Sequence, residues 1–280
     1  MKLKLCLAVG LLGCLISNMA MANRAIAQII PDRTLPQPSR VDRNGNTQVI
    51  TEGTAVGQNL FHSFRLFSIQ NGESASFQNI SSSIQNIITR VTESSASRIN
   101  GLIEALQSDG TVSSANLFLI NPNGILFGAN ASLNLGGSFL ATTGDRLQFS
   151  DGFEFRTNGT QSSSLLTIST PIGIQFGRNP GAIRNASVAN LVQDDFGRPL
   201  QGGLQVSEGE TLALIGDRLH IAGGVMIAPG GRIELGSVGG ESSVSLTAIA
   251  SGWRVGYGDV QNFSDIAFTD TALLDTTAAG

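Results

Sequence analysis

The sequence predicts an all-β chain wound as a right-handed parallel β-helix, a single-stranded solenoid with an N-terminal β cap and hairpins outside the coil. Three observations predict it. Across Ala115 to Thr143, short apolar strands and tight turns alternate without helical spacing. Leu117 to Ile120 form one apolar run, Asn121-Pro122-Asn123-Gly124 interrupts it, and Ile125-Leu126-Phe127 resumes it before Leu133, Leu135 and Phe139-Leu140. The interruption is a cornering turn, because proline presets φ while asparagine and glycine tolerate the left-handed region. The second observation is recurrence: Phe118 and Ile120 match Phe139 and Ala141, and Leu212 and Leu214 match Ile233 and Leu235, each 21 positions on. A strand-built period in the low twenties fits rungs that bury an apolar face only by stacking on the next. Leucine-rich repeats share that period, but their asparagine-bearing leucine consensus is absent. The third is composition: 280 residues with 34 glycines and only 14% charged suit one elongated, corner-rich domain. Ten or so rungs about 4.8 Å apart would make a rod roughly 50 Å long. The hand follows from the crossover preference.

Taken in order, residues 1–27 read as a secretory signal peptide. Lys2 and Lys4 precede an apolar run from Leu5 to Ile16, and cleavage after Ala27 leaves Gln28 at the mature N-terminus. The run is too short to span a membrane as a helix. A lipoprotein signal at Cys14 fits less well, because Cys14 sits inside the apolar run rather than ending it. Cys6 and Cys14 are the only cysteines, so the mature chain forms no disulfide although it leaves the cytoplasm. Removing Lys2, Lys4 and Arg24 from 17 basic residues leaves 14 against 21 acidic ones, a net charge of −7. That balance carries no basic footprint for nucleic acid.

Residues 28–280 read as one domain, with a cap over 28–77 and coils with inserts over 78–280. An open sheet end would template aggregation, so the N-terminal end requires covering. Pro31, Pro36 and Pro38 keep the first stretch irregular, and Asn44-Gly45 signals a hairpin between Val41 and Val49-Ile50. Asn59 to Phe67 is the first strongly apolar strand; Leu60, His62, Phe64 and Leu66 share one parity, with Phe61 on the other. His62 reads as a histidine hydrogen-bonded in a packed cap, and His220, between Leu219 and Ile221, as pointing out of a rung. Ile80 to Leu106 spaces Ile84, Ile87, Ile88 and Val91 as a helix would, yet its β-branched residues favour strand and turn. Leu147/Phe149 and Phe153/Phe155 make a hairpin outside the coil. Ser162 to Ser164 is a loop, Leu165–Ile168 and Ile172–Phe176 are strands, and Val192 to Pro199 is a long exposed loop. Coils resume over Leu204–Ile249, and Ala272 to Gly280 looks like a coil cut short.

Four blocks stand in a telling order: Asn59-Leu60-Phe61-His62-Ser63-Phe64, Ile87 to Thr92, Asn116 to Phe127 with Asn121-Pro122-Asn123-Gly124-Ile125, and Ala228 to Gly236. Together they resemble the N-terminal haemagglutination-activity domain of filamentous haemagglutinins, the secretion domain of two-partner-secretion exoproteins, over about Gln28 to Gly280. The resemblance implies a capped right-handed β-helix recognised by an outer-membrane β-barrel transporter through that barrel's periplasmic domains. It implies a secreted or surface protein of a double-membrane bacterium, reaching the periplasm through the general secretion machinery. Asn121 to Ile125 would be the transporter-recognition or turn motif. The family's second motif, related to Asn-Pro-Asn-Leu, has only Gln78-Asn79-Ile80-Ser81 at its position, without the proline. Family members usually continue into adhesive or toxic regions, so the chain reads as a minimal exoprotein or a truncated gene product.

Two other function classes compete. An adhesin rod would bind host or cell-surface glycans along its flat sides through Asn, Ser and Arg; Trp253 and Tyr257, four apart on one strand face, read as the finish of the last coils or as the start of a contact surface leading into a downstream region. A polysaccharide-degrading enzyme is the remote alternative, with Asp194-Asp195 as carboxylates. Adjacent residues on an extended strand point opposite ways, and the mature chain has no lysine to serve as base. No cysteine or histidine cluster could hold zinc, and no nonapeptide repeat signals calcium. The expectation is therefore no enzyme, no cofactor and no metal.

Overall fold

A parallel coil closes when an apolar set on one strand parity can stack on the same parity a coil later. The computed structural model describes residues 28–158, 166–190, 192–193, 199–250 and 252–278, and among them every regular element is a strand. The signal region, Ser162 to Ser164 and Asp194-Asp195 lie outside the described residues.

The chain begins with β1 (Ile29–Pro31), β2 (Ser39–Asn44), β3 (Thr47–Glu52) and β4 (Thr54–Val56). β2 and β3 form the hairpin expected at Asn44-Gly45, with Gly45 at φ +57° and Val41 opposite Ile50. The first coil follows as β5 (Asn59–Phe67) and β6 (Ser74–Ile80), the second as β7 (Asn86–Val91), β8 (Ser97–Ile99) and β9 (Leu102–Gln107), the third as β10 (Asn116–Ile120), β11 (Ile125–Phe127) and β12 (Ser132–Asn134). β13 (Phe139–Thr142) opens the fourth, after which the chain leaves for β14 (Arg146–Phe149), β15 (Glu154–Arg156) and β16 (Pro171–Gln175). It returns as β17 (Ala182–Asn185), makes the hairpin β18 (Val192–Gln193) and β19 (Pro199–Gln201), and closes with β20 (Leu204–Gln205). The long β21 (Thr211–Ala222) serves two faces of the next coil and β22 (Val225–Ile227) the third. β23 (Arg232–Ser237) begins the last coil, interrupted by β24 (Ser243–Ala248) and β25 (Trp253–Gly256) and finished by β26 (Ile266–Thr269) and β27 (Leu273–Asp275).

Three parallel stacks result. The first face is β5-β7-β10-β13-β21-β23, the second β8-β11-β17-β21-β26, and the third β3-β6-β9-β12 continued by β20-β22-β27. At the N-terminal end β1 and β4 run antiparallel along the outer edge of β5, which supplies the cap. Parallel stacking thus begins at β3 and β5, and the boundary drawn at residue 77 falls inside β6.

The register corrects the period. Asn59 pairs with Asn86 and Asn86 with Asn116, coils of 27 and 30 residues, while Leu117 faces Phe139, a step of 22. Phe118 therefore stacks on Leu140 rather than on Phe139. Only Leu212 to Ile233 and Leu214 to Leu235 keep the step of 21. Three corners per coil, each with its own turn, consume the additional residues. With two inserts besides, the first face holds six strands instead of ten rungs, about 24 Å at the usual spacing.

Two hydrophobic cores lie back to back on the first face. Inward residues such as Leu60, Phe64, Ile87, Leu117, Leu119 and Leu214 fill the coil. Outward residues Phe61, Ile88, Phe118, Leu140 and Ala213 stack in register and are all buried. They are covered by the antiparallel sheet β15-β14-β16-β24-β25. The hairpin expected at 147–155 is thus one half of a lid. Leu165–Ile168 forms no strand where described, with Ile168 72% exposed. The expected run of coils over Leu204–Ile249 is interrupted after Ser237, because β24 pairs antiparallel with β16 and β25, and the coil resumes at β26.

Candidate functional site

The turn motif sits at the corner between the first and second faces. Asn121 Oδ1 accepts from the Asn123 amide at 3.0 Å, and the Gly124 amide donates to the Asn121 carbonyl at 3.2 Å. Asn121 Nδ2 reaches down one coil to the Ser95 carbonyl (2.9 Å) and Ser97 Oγ (3.0 Å), so this fully buried side chain spends its polar atoms on the fold. Asn123 is exposed, with Nδ2 donating to the Glu93 carbonyl at 2.9 Å. Gly124 stands at φ +114°, and the next corner packs so closely that a Cβ on Gly181 would lie 2.3 Å from the Gly124 nitrogen. The Gly181 amide donates to the Pro122 carbonyl at 2.7 Å, and Ile125, fully buried, pairs with Ser97 and Ile183. The five residues join three coils at one edge.

In β5, Leu60 and Phe64 face the coil core and Phe61 the outer core. His62 is 1% exposed, stacked on Phe64 at 6.0 Å between ring centroids and edge-on to Phe77 at 5.1 Å. Its Nδ1 bonds Ser39 Oγ at 2.9 Å, tying β5 to β2, and Nε2 has no partner. A Cβ on Gly53 would come within 2.8 Å of the ring. Burial pushes the imidazole pKa down to about 3. His220 is half-buried, with Nε2 bonded to Thr269 Oγ1 at 2.9 Å. Gln28 is exposed, and its carbonyl accepts from the Ser68 amide at 3.1 Å; Ala27 lies outside the described residues.

Sequence reasoning missed the polar knot beside the cap. Arg90, in the middle of β7, is fully buried. Its Nε donates to Ser63 Oγ at 2.8 Å, Nη2 to Thr34 Oγ1 at 2.8 Å and Nη1 to the Arg156 carbonyl, while the guanidinium lies 4.4 Å over the Phe155 ring. Asp32 accepts from Thr34, from Ser63 Oγ (2.8 Å) and from Thr92 Oγ1 (2.8 Å). Burial alone would raise the Asp32 carboxyl, but these donors outweigh it and hold it below the usual range. Desolvation draws Arg90 down to about 10 against the opposing charge of Asp32. The available signal was an arginine inside Ile87-Ile88-Thr89-Arg90-Val91; its partners lie too far along the chain to be read.

A second feature was also missed. Asn59, Asn86 and Asn116 each open a first-face strand and bond in a ladder: Asn86 Nδ2 to Asn59 Oδ1 (3.0 Å), Asn116 Nδ2 to Asn86 Oδ1 (3.1 Å), and the Ser138 amide to Asn116 Oδ1 (3.0 Å). Asn59 Nδ2 is held by the carbonyls of Thr167 and Ser169. The signal was present as an asparagine before each apolar pair. This ladder floors a cleft of about 480 Å³ between the coil edge and the residues of 168–170, 248–250 and 252–253.

Trp253 and Tyr257 do not finish a coil and do not form an open surface. Trp253 is 4% exposed, edge-on to Phe118 at 5.5 Å. Tyr257 packs on Phe263 at 6.1 Å, and burial, with the Glu234 charge, pushes its hydroxyl pKa up. Among the described residues no group of three or more His, Cys, Asp or Glu could hold a metal ion.

The family model of the TPS secretion domain matches residues 27–280. No curated protein matches the sequence. Among solved structures, the HMW1 secretion domain from Haemophilus influenzae is similar at 20% identity and a TM-score of 0.48, covering 83% of this chain. The chain spans 48% of that protein's length. The filamentous hemagglutinin secretion domain is similar at 14% identity and a TM-score of 0.41, covering 90% of this chain and 99% of its own.

Proposed function

Since the chain belongs to the TPS, or two-partner-secretion, secretion-domain family, matched over residues 27–280, we propose that it directs an exported protein through a cognate outer-membrane transporter. The family match is the observation that carries this reading. The route runs through the periplasm of a double-membrane bacterium to the surface or the medium, with residues 1–27 as the signal for the general secretion machinery. The family that matches is a secretion domain.

The outer membrane has no nucleotide supply, so the work of threading comes from folding outside, where coil closure keeps emerged chain from sliding back. Capture uses β-augmentation, a still-extended strand pairing with a sheet edge of the transporter's periplasmic domains. Asn121 fits that order of events. In the folded corner its amide is fully committed to Asn123, Ser95 and Ser97, so a transporter reads it before the corner closes. Pro122, Asn123, Gly124 and Ile125 complete the segment that is read.

Deleting the partner transporter tests the export reading: signal-cleaved protein must accumulate in the periplasm, and equal amounts in the medium would sink it. Asn121→Ala with Asn123→Ala separates recognition from structure. Lost secretion with normal refolding supports recognition, whereas loss of both assigns the pair to the corner alone.

A further inference from the structure

The cleft above the asparagine ladder has the chemistry of a ligand site. Among the described residues its lining contains no Lys, Arg or His, and the one charged group there, Glu210, accepts from Ser138 Oγ at 2.6 Å. Phosphate, sulfate and uronate ligands therefore meet no counter-charge there. Hydrogen-bonding capacity is instead neutral and repeated at the rung spacing of about 4.8 Å. Gln58 and Gln85 sit one rung apart, since their neighbours Asn59 and Asn86 are paired, and both are exposed. Neither side chain bonds within the described residues. Asn86 and Asn116 each commit one amide hydrogen to the ladder and keep a second. Exposed Ser82 and Ser114 add hydroxyls. Opposite, Ile168 is 72% exposed and stands with Ile249 as an apolar wall. Trp253 also lines the cleft; it is 4% exposed and its indole N–H has no partner.

We propose that this cleft binds a neutral linear oligosaccharide. Sugar hydroxyls both donate and accept, as side-chain amides do, and a row of them matches amides repeated along coils. The C–H faces of the sugars lie against Ile168 and Ile249. An extended peptide fits less well, because β5, β7 and β10 are each paired on both sides and offer no backbone edge to the cleft. The volume lies within the usual range for ligand clefts, about 300–1,000 Å³. This inference does not rest on recognition by the transporter.

The test titrates the secreted, signal-cleaved protein with cellohexaose, maltohexaose and chitohexaose, with a heparin hexasaccharide as the anionic comparison, by calorimetry. At least one neutral hexasaccharide is expected to saturate, with affinity unchanged at high salt because no ion pair forms. Ser114→Trp fills the cleft from an exposed position, and binding should fall at least roughly tenfold. Gln58→Ala with Gln85→Ala should weaken it about fivefold or more, two neutral hydrogen bonds being lost. Both variants should keep the circular dichroism spectrum and still be secreted, so a failure of export is distinguishable from a failure of binding. No saturation by any neutral probe up to about 10 mM, preference for the heparin fragment, or binding indifferent to both variants overturns the proposal.

Discussion

Acidification should destabilise this domain through His62. The imidazole is fully enclosed by Phe64, Phe77 and the Gly53 backbone, with Nε2 unpartnered, and its pKa falls from the ordinary 6.5 to about 3. A folded-state pKa below the unfolded one means that the unfolded chain binds the proton first. The stabilisation is therefore complete above pH 6.5 and is lost as pH falls from there toward 3, by about 1.4 kcal/mol per pH unit. Between pH 7 and pH 5 the loss is about 2 kcal/mol. Asp32, whose carboxyl pKa lies below the ordinary 3.8, adds its own loss only at lower pH. Urea unfolding of the signal-cleaved protein at the two pH values reads this out. With a slope of roughly 2–3 kcal/mol per molar for a chain of this size, the midpoint should drop by somewhat under 1 M. His62→Gln keeps a polar partner for Ser39 and cannot charge, so its midpoint should be lower at pH 7 and nearly constant down to pH 5. Equal midpoints for the parent at both values, or an equal fall in His62→Gln, would refute the reasoning.

Three further outcomes are expected. Arg90→Met leaves the Asp32 carboxylate buried without its cation and should cost about 3–5 kcal/mol by urea unfolding; adding Asp32→Asn should restore part of it, and full additivity of the two losses would argue against coupling. Asn86→Ala breaks the ladder in the middle and strands Asn59 Oδ1 and Asn116 Nδ2, for about 1–3 kcal/mol; a loss below about 0.5 kcal/mol would show that water replaces the bonds. Trp253→Ala removes the ring packed on Phe118, worth about 3–5 kcal/mol, and hydrogen exchange should then accelerate at β7 and β10 as well as at β25; acceleration confined to 243–256 would show the lid to be energetically separate.

What could be read from the sequence was local. Alternation in Asn59 to Phe67, the Asn44-Gly45 hairpin and the Asn-Pro-Asn-Gly corner each carry their own turn or parity chemistry, and each stands where expected. The register was not local. Phe118 and Phe139 are equally good partners on sequence, and the choice of Leu140 is made by how many residues the three corners consume. Leu117-Phe118-Leu119-Ile120 did carry a hint, because a strand apolar on both parities is buried on both faces. The residues that cover it, Phe149, Phe155 and Trp253, lie far downstream and show no pattern pointing back. Arg90 poses the same difficulty: a cation in a β-branched strand announces a buried partner, but Asp32, Thr34 and the Arg156 carbonyl have no periodic relation to it.

That long reach bears on how export can be driven. A solenoid with one core would trap chain coil by coil, each rung finishing the burial of the one before. Here the inner core obeys that rule and the outer one does not. Phe61 and Ile88, in the first two coils, keep an open apolar face until the hairpin of 146–156 and then 243–256 arrive. Arg90 likewise waits for the Arg156 carbonyl, and Asn59 for those of Thr167 and Ser169. Each uncovered phenylalanine or isoleucine withholds about 1.5–3 kcal/mol, and a buried arginine without its acceptors withholds more. The first coils to emerge are consequently the last to be locked. The free energy of the outer core is therefore released only after the inner coils have stacked, once 146–156 and the strands β24 and β25 are in place.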